Sequence, residues 1–292
     1  MLTLLKREDI NEKLWNLCTD KQMCIYAKTW YLDIVSSNWI GLVINDYQAV
    51  MPLPVRKKIG INILYQPYFC QQLGVFGVFD EKILHQCFKY IDRHFFIINY
   101  HINFFNYKLY NVKKFSKKAN YRLDISTDYQ TIENGFRKEK FVNIKQLSKK
   151  EFTIENCEPQ TLIDFFVAHH PKNMTLLSKQ SYQILHKLMA NSIENNRGKI
   201  FAAKLSSEIL GMIFWLISEN TAYLLFSAVS ELGRKEQAIN FLINHFILNH
   251  QKQILTLDFE GSSIPNIAFF YKGFGALNYE YGHIKKKIFN IN

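Results

Sequence analysis

KIFAAKLSSEILGMIFWLISENTAYLLFSAVSELG, residues 199–233, holds three apolar runs separated by two short turns, and its reading decides the fold class. Lys199 to Leu205 is a strand, Ser206-Ser207-Glu208 turns, Ile209 to Ile217 is the next strand, and Thr221 to Val229 is a third. The third runs into Ser230-Glu231-Leu232-Gly233. Lys235 to Asn249 then takes helical spacing, with Ala238, Ile239, Leu242 and Phe246 in phase. Ile254-Leu255-Thr256-Leu257 adds a fourth strand. Strands in succession followed by a helix and another strand predict a mixed, mostly antiparallel sheet flanked by helices, an α/β (α+β) architecture.

The same order occurs earlier in the chain. Trp39 to Ile44 is apolar, Asn45-Asp46-Tyr47 turns, Gln48 to Val55 is apolar again, and Ile61 to Phe69 leads into Gln71-Gln72-Leu73-Gly74. Asp80 to Arg93 is helical in spacing (Ile83, Leu84, Cys87, Phe88, Ile91), and Phe95 to Ile98 follows as a strand. Setting Gly74 on Gly233 gives one offset, 159 residues, that also sets Ile98 on Leu257. The chain therefore reads as two tandem copies of one module, an N-terminal one over 1–125 and a C-terminal one over 126–292. A helical connector over 126–198 opens the second, with apolar helical spacing in Asp128 to Phe136, Thr161 to His169 (stopped by Pro171) and Gln180 to Ile193.

Composition narrows the function classes. At 48% hydrophobic residues, with 12 glycines and 6 prolines in 292, the chain builds a packed core and is neither disordered nor low-complexity. The longest apolar run, Ile209 to Ile217, is well short of the roughly 20 residues of a membrane span, and the start reaches charged residues before an apolar run of signal length forms. Five cysteines without a C-x-x-C pair read as reduced thiols, and a cytoplasmic location is expected. The net charge of +11 is concentrated: residues 1–150 carry 23 Lys+Arg against 13 Asp+Glu, and 108–150 alone carry 12 against 4. Such a stretch either attracts phosphates or is a solvated lysine face. The nine histidines show no metal-ligand spacing, and no metal is expected; His169-His170 sits at a helix end, where a cation is favoured on dipole grounds alone.

Two places suit chemistry. The strand-to-helix turn at Gly233 offers backbone N–H groups to a phosphate, with Arg234 and Lys235 as cations at the helix start; plain helix capping is the alternative. Further on, Leu255-Thr256-Leu257-Asp258-Phe259-Glu260-Gly261 takes a strand directly into two carboxylates. At a strand's carboxyl end Asp258 or Glu260 is placed to take a proton from an attacking ammonium, or else to cap a helix or pair with a cation.

Asn266, Ala268, Tyr271, Gly273 and Phe274 then give a shortened form of the Asn…Ala…Tyr…Gly-Phe pattern of the GNAT (acetyl-CoA-dependent N-acetyltransferase) superfamily, which the element order also resembles. The superfamily's pyrophosphate loop is matched at Gly233 but lacks its second glycine. The paired arrangement is similar to the Fem-type aminoacyltransferases. Asp258-Phe259-Glu260-Gly261 resembles their Asp-Phe-Gly-Gly strand end, with Glu260 in place of the first glycine. Tyr271-Lys272-Gly273-Phe274-Gly275 resembles their Phe-Lys-x-x-Phe-Gly element.

The resemblance implies an acyltransferase that moves an acyl group from an acyl-CoA-like thioester to an amine. It implies two splayed strands, over Gly211–Trp215 and Leu225–Val229, that hold the acyl carbonyl. Donor contacts are then expected from Ala228, Val229, Gly233, Arg234, Lys235 and Asn266, and Tyr271 is expected either to protonate the departing thiolate or to pack under the sheet edge. Trp215, Gln71 and Gln72 are expected on the acceptor side, with the first module degenerate for the donor. The alternatives are an aminoacyl-tRNA donor held by basic residues of 108–150, and a non-catalytic binding relative.

Overall fold

A computed structural model describes residues 1–292 apart from 59, 111–114, 171–174, 262–263 and 288–292. Lys113, Lys114, Pro171, Ser262 and Ser263 lie outside the described residues. The chain divides into two compact units, Met1–Ala119 with Tyr279–Asn292, and Asn120–Asn278.

The first unit runs β1 (Leu2–Lys6), α1 (Glu12–Asp20), α2 (Thr29–Val35), β2 (Trp39–Ile44), β3 (Ala49–Lys58), β4 (Ile61–Leu64), β5 (Phe76–Gly77), α3 (Glu81–His94), β6 (Ile97–Ile102), α4 (Phe104–Leu109) and β7 (Ser116–Lys118). The turn between β2 and β3 puts Asn45, Asp46 and Tyr47 in the left-handed region, a conformation for which asparagine and aspartate are suited. Asp80 caps α3 by accepting from the Ile83 N–H, and its apolar stripe, Ile83, Leu84, Cys87, Phe88 and Ile91, is buried.

The second unit runs β8 (Tyr121–Asp124), α5 (Tyr129–Asn134), α6 (Lys138–Leu147), β9 (Phe152–Asn156), α7 (Pro159–Ala168), α8 (Lys179–Glu194), β10 (Gly198–Leu205), β11 (Glu208–Ser218), β12 (Thr221–Val229), α9 (Glu231–Lys235), α10 (Ala238–His250), β13 (Thr256–Asp258), α11 (Pro265–Gly273) and β14 (Leu277–Asn278). β9, which pairs antiparallel with β10, is a strand that the helical reading of the connector missed. Its five residues, FTIEN, carry too little apolar alternation to stand out. The helix expected over 235–249 is α10, and a short α9 precedes it, the two parted by Gln237, left-handed at φ 62°. The core of this unit is the apolar face of α10, with Leu242, Ile243, Phe246 and Ile247 fully buried and Phe246 stacked on Trp215 at 4.2 Å. Burying one such side chain stabilises by about 1.5–3 kcal/mol.

The two sheets share one plan. The first has strand order β1-β2-β3-β4-β6-β15-β7, where β15 is Tyr281–Lys286; the second, read from its far edge, is β9-β10-β11-β12-β13-β8-β14. Neighbours are antiparallel throughout both, except for one parallel pair at the same place, β4 with β6 and β12 with β13. The 159-residue offset sets Tyr121 and Arg122 of β8 on Glu280 and Tyr281 at the start of β15. Yet β8 pairs with β13 and β15 pairs with β6, so each sheet contains the strand that follows the other's sequence. Hence the units divide at 119/120 and take residues 279–292 into the first, where the sequence pattern had suggested 125/126 and a C-terminal module running to 292.

β15 is held by five register pairs with β6 and three with β7, while Lys117 and Glu280 are 3.2 Å apart beside it. Ending the chain after Asn278 is therefore expected to strip β6 of a neighbour and β7 of its only strand partner among the described residues. At about 1 kcal/mol net per hydrogen bond, several kcal/mol are lost from the first unit. Hydrogen exchange checks it: amides of β6 lose protection while those of β11 keep theirs.

Candidate functional site

In the second unit the parallel contact between β12 and β13 is short. Thr221, Ala222 and Tyr223 pair with Thr256, Leu257 and Asp258, and the pairing stops there, while β12 stays bonded to β11 out to Val229. β12 and β13 therefore splay beyond Tyr223, leaving Leu224–Val229 with a strand partner on one side only. The opening expected between β11 and β12 is not there: those strands pair from Ser218 and Thr221 to Gly211 and Val229, with one register shift at Phe214/Trp215. The physical reason is topological. A hairpin pair keeps its register from its turn, whereas a parallel pair joined through a helix is free to diverge.

A cavity of about 930 Å³ lies along this gap, walled by residues of β12, α9, α10, α11 and α6. Ser227 and Val229 line it and Ala228 does not, as expected for alternate side chains of one strand. Gly233, Arg234, Lys235, Asn266 and Tyr271, all expected at the donor site, are brought together in its wall. Arg137 and Lys140 of the basic helical segment join them, and Glu139 is the one carboxylate among the lining residues. The sequence marks that segment as basic, and its run Phe136-Arg137-Lys138…Asn143-Ile144-Lys145 resembles a basic helix of the Fem-type group, but nothing in it points to Lys140 individually.

The glycine of the turn is required by packing. A Cβ on Gly233 would stand 1.9 Å from the Leu210 carbonyl oxygen. Its N–H donates to Ser230 Oγ at 2.9 Å, and Ser230 N–H donates to Leu210 O at 3.0 Å. The turn's own hydroxyl thus satisfies Gly233, and the charge at the cavity comes from side chains. Arg234 and Lys235 close α9, where a cation complements the dipole. α10 begins at the cavity with Gln237 as its N-cap, whose side chain accepts from Asn240 Nδ2 at 2.8 Å rather than from a backbone N–H, and Gln237, Ile239 and Asn240 line the wall at this helix start.

Lys140 is buried, 7% exposed. Its Nζ donates to Asn240 Oδ1 at 2.6 Å and lies 3.8 Å and 4.2 Å from the ring centres of Phe270 and Phe274. Loss of hydration with no compensating charge pulls the ammonium down to about 7. Tyr271 stacks on Phe259 at 4.6 Å. Burial first, then the carboxylates of Glu260 and Asp258, push its hydroxyl well above the usual tyrosine range, so it stays protonated at neutral pH.

Asp258 is buried at the end of β13, and both its oxygens are engaged. Oδ2 accepts from Arg122 Nε at 2.8 Å and Asn120 Nδ2 at 3.1 Å, while Oδ1 accepts from the Glu260 N–H at 2.8 Å. Glu260 is left-handed at φ 59°, followed by Gly261 at 66°, so the chain turns sharply off the strand. Neither carboxylate lines the cavity, although both act electrostatically on Tyr271, which does.

Three expected residues stand elsewhere. Trp215 is fully buried against Phe246, with its Nε1 unpartnered among the described residues. Gln71 and Gln72 are in the first unit, where Gln72 is buried, donating to Gln71 Oε1 and accepting from the Phe104 N–H at 3.2 Å. That unit has no matching gap, because its own chain fills the place: Leu73 bridges to Ile102, with its N–H on His101 O and its carbonyl accepting from Asn103.

Among the described residues no group of three His, Cys, Asp or Glu side chains is placed to hold a metal, and no helix is long and apolar enough to cross a membrane. The cysteines are unbonded, four buried and Cys157 half-buried, and none lines the cavity.

No protein-family model matches the chain, and no curated protein matches it. Solved structures do. FemX superposes with a TM-score of 0.61 at 12% identity, over 85% of this chain and 89% of that one. The C-terminal domain of a protein from Agrobacterium fabrum named as a lysylphosphatidylglycerol synthetase gives 0.55 at 9%, over 94% and 93%. The L-PGS of Bacillus licheniformis gives 0.51 at 10%, over 87% and 85%. At these identities the likeness establishes the fold. Along most of its length this chain has the fold of FemX, here two mixed sheets flanked by helices.

Proposed function

We propose that the protein is an acyltransferase whose second unit binds a phosphate-bearing acyl thioester, of the acyl-CoA type, and passes the acyl group to an amine. The observation that carries this is the splay of β12 from β13 onto a cavity lined by Arg137, Arg234 and Lys235. An extended, anionic ligand matches both features: an arm lies along the unpaired edge of β12, and the phosphates meet the cations. N–H groups of that edge stabilise the oxyanion as the amine attacks. Tyr271, held protonated, gives its proton to the departing thiolate. Asp258, with both oxygens occupied, fixes the end of β13, and Glu260, which stands outside the cavity wall, accepts the proton through water.

An aminoacyl-tRNA donor is the competing reading, resting on the basic stretch 108–150. Within it Arg122 pairs with Asp258, Lys117 with Glu280, Lys145 with Glu133 and Lys150 with Glu236, and Lys140 is buried. Lys108, Lys117 and Lys118 fall in the first unit and the residues from Arg122 onward in the second. These pairings leave less charge for a long phosphate backbone than the count suggests, so the thioester is preferred.

A thermal-shift titration tests the proposal. A coenzyme A ester at a hundred times its Kd is expected to add about 2.7 kcal/mol. The double variant Arg234→Glu with Lys235→Glu is expected to abolish that shift while leaving the unliganded melting point close to the wild type's. Absence of a shift with every coenzyme A ester, alongside salt-dependent tRNA binding, turns the proposal to the other donor. Binding of neither leaves a non-catalytic relative.

A further inference from the structure

The cavity contains a nucleophile that transfer to an external amine does not use. Lys140 projects from α6 to the wall where α10 and α11 meet, beside Tyr271, Arg234 and Lys235. Among the described residues no carboxylate is within ion-pair distance of its Nζ, whereas Arg122, Lys145 and Lys150 of the same basic stretch are paired. Its hydrogen-bond partner is the neutral Asn240 side chain, and two aromatic faces take the rest of its surroundings. Gly273 gives it room: a Cβ there would come within 2.7 Å of Lys140 Cε. A structural lysine is normally anchored by an acid or extended to solvent. This one is an amine stored in an apolar niche that opens on a ligand-sized space.

We propose that Lys140 is a self-acylation site: the acyl donor bound in this cavity transfers its acyl group to Lys140 Nζ. The inference rests on the donor reading above and adds a reaction to it. The Nζ lone pair attacks the thioester carbonyl carbon, a C–N bond forms and the C–S bond breaks. The thiolate departs as the coenzyme, and the proton lost by nitrogen passes to the thiolate or to water. The product is a neutral amide. It fills the niche between Phe270 and Phe274 and carries the acyl group into the cavity, so the next donor binds more weakly. Accumulated donor in the absence of acceptor thereby switches its own site off.

The neutral form needed for attack is at hand. Desolvation alone brings the amine to about 7, with no charged neighbour contributing. The charged groups facing the cavity, Arg137, Glu139, Arg234 and Lys235, are left to act on the donor instead. An ordinary lysine, near 10.5, presents a far smaller unprotonated fraction at neutral pH, so Lys140 should outpace the exposed lysines by more than about tenfold even after allowing for its lower basicity.

The experiment is to incubate the full-length protein with acetyl coenzyme A and no acceptor at pH 6 and pH 8, and to read acetyl occupancy lysine by lysine by peptide mass spectrometry. The expected result is one dominant adduct at Lys140, formed faster at pH 8, with coenzyme A affinity falling several-fold in the modified protein. Lys140→Met, which keeps the unbranched side chain without the amine, should show no dominant adduct, and a retained ligand-induced thermal shift should show that its cavity still forms. Acetylation of exposed lysines at rates equal to or above that of Lys140 overturns the inference. The thermal shift separates the two failures. A ligand-induced shift without modification at Lys140 sinks self-acylation and leaves the donor site standing, whereas no shift and no preferred adduct removes both.

Discussion

Gly233→Ala is expected to cost at least about 3 kcal/mol, at the upper end of what overpacking does, and to lower the melting point by roughly 6–12 °C. The methyl group would overlap the Leu210 carbonyl oxygen at 1.9 Å and also press on the Leu210 carbonyl carbon at 2.7 Å and Val229 Cγ2 at 3.0 Å. The first two are backbone atoms of β11, a central strand bonded on both sides, and cannot yield. α9 must therefore lift off the sheet, taking Arg234 and Lys235 out of the cavity wall. Donor binding should be lost together with stability. Gly273→Ala is the comparison. There the new methyl meets the flexible Cε of Lys140 at 2.7 Å, so the cost is expected below about 1 kcal/mol. Melting curves of the two variants, with and without a coenzyme A ester, check both halves of the argument.

Asp258→Ala is expected to be the other severe change, destabilising by about 3 kcal/mol, since removing one member of a buried charge pair strands the other. Three donors lose their acceptor at once: Arg122 Nε, the fully buried Asn120 side chain and the Glu260 N–H. Arg122 is partly exposed and recovers some hydration, which keeps the cost below that of a fully buried pair. Asp258→Asn retains an oxygen for the Glu260 N–H and should cost about half as much. Urea unfolding midpoints of the two variants order them. If Asp258 were a free proton acceptor, the asparagine variant would lose turnover with its stability untouched. Its three hydrogen bonds predict the reverse emphasis, a loss of stability that accounts for most of the loss of activity.

Much of this fold was legible in the chain. Alternation and turn residues mark β2, β3, β10, β11 and β12, because each is long or flanked by residues that take the left-handed region, as Asn45, Asp46 and Ser206 do. The offset that sets Gly74 on Gly233 led to an expectation of two like sheets, and the two sheets do share a strand order with one parallel pair at the same place. What could not be read is where the last strand of each half goes. β8 and β15 have similar lengths and neighbours, and only tertiary pairing decides that each joins the other sheet. β9 escaped because a short edge strand buries little and so needs little apolar pattern.

The site was legible in part. Gly233, Arg234, Lys235, Asn266 and Tyr271 were singled out because turn chemistry and a short motif mark them, and all five line one cavity. Lys140 was missed as an individual residue, since burial is what sets it apart from the other lysines of its stretch. Trp215 was misplaced onto the ligand side by a strand opening set one strand too early; its register shift turns the ring into the core. Glu260, the departure from the glycine of the Fem-type strand end, holds the left-handed conformation for which glycine is suited, which explains why that element favours glycine there.

The most direct test of the central claim is a crystal structure with a non-hydrolysable coenzyme A thioether. Its pantetheine arm should lie along Ser227–Val229 in the gap between β12 and β13, with the phosphates within reach of Arg234 and Lys235 and the sulfur beside Tyr271. An analogue bound anywhere else, or a gap closed by continuous pairing of β12 with β13, would contradict the account.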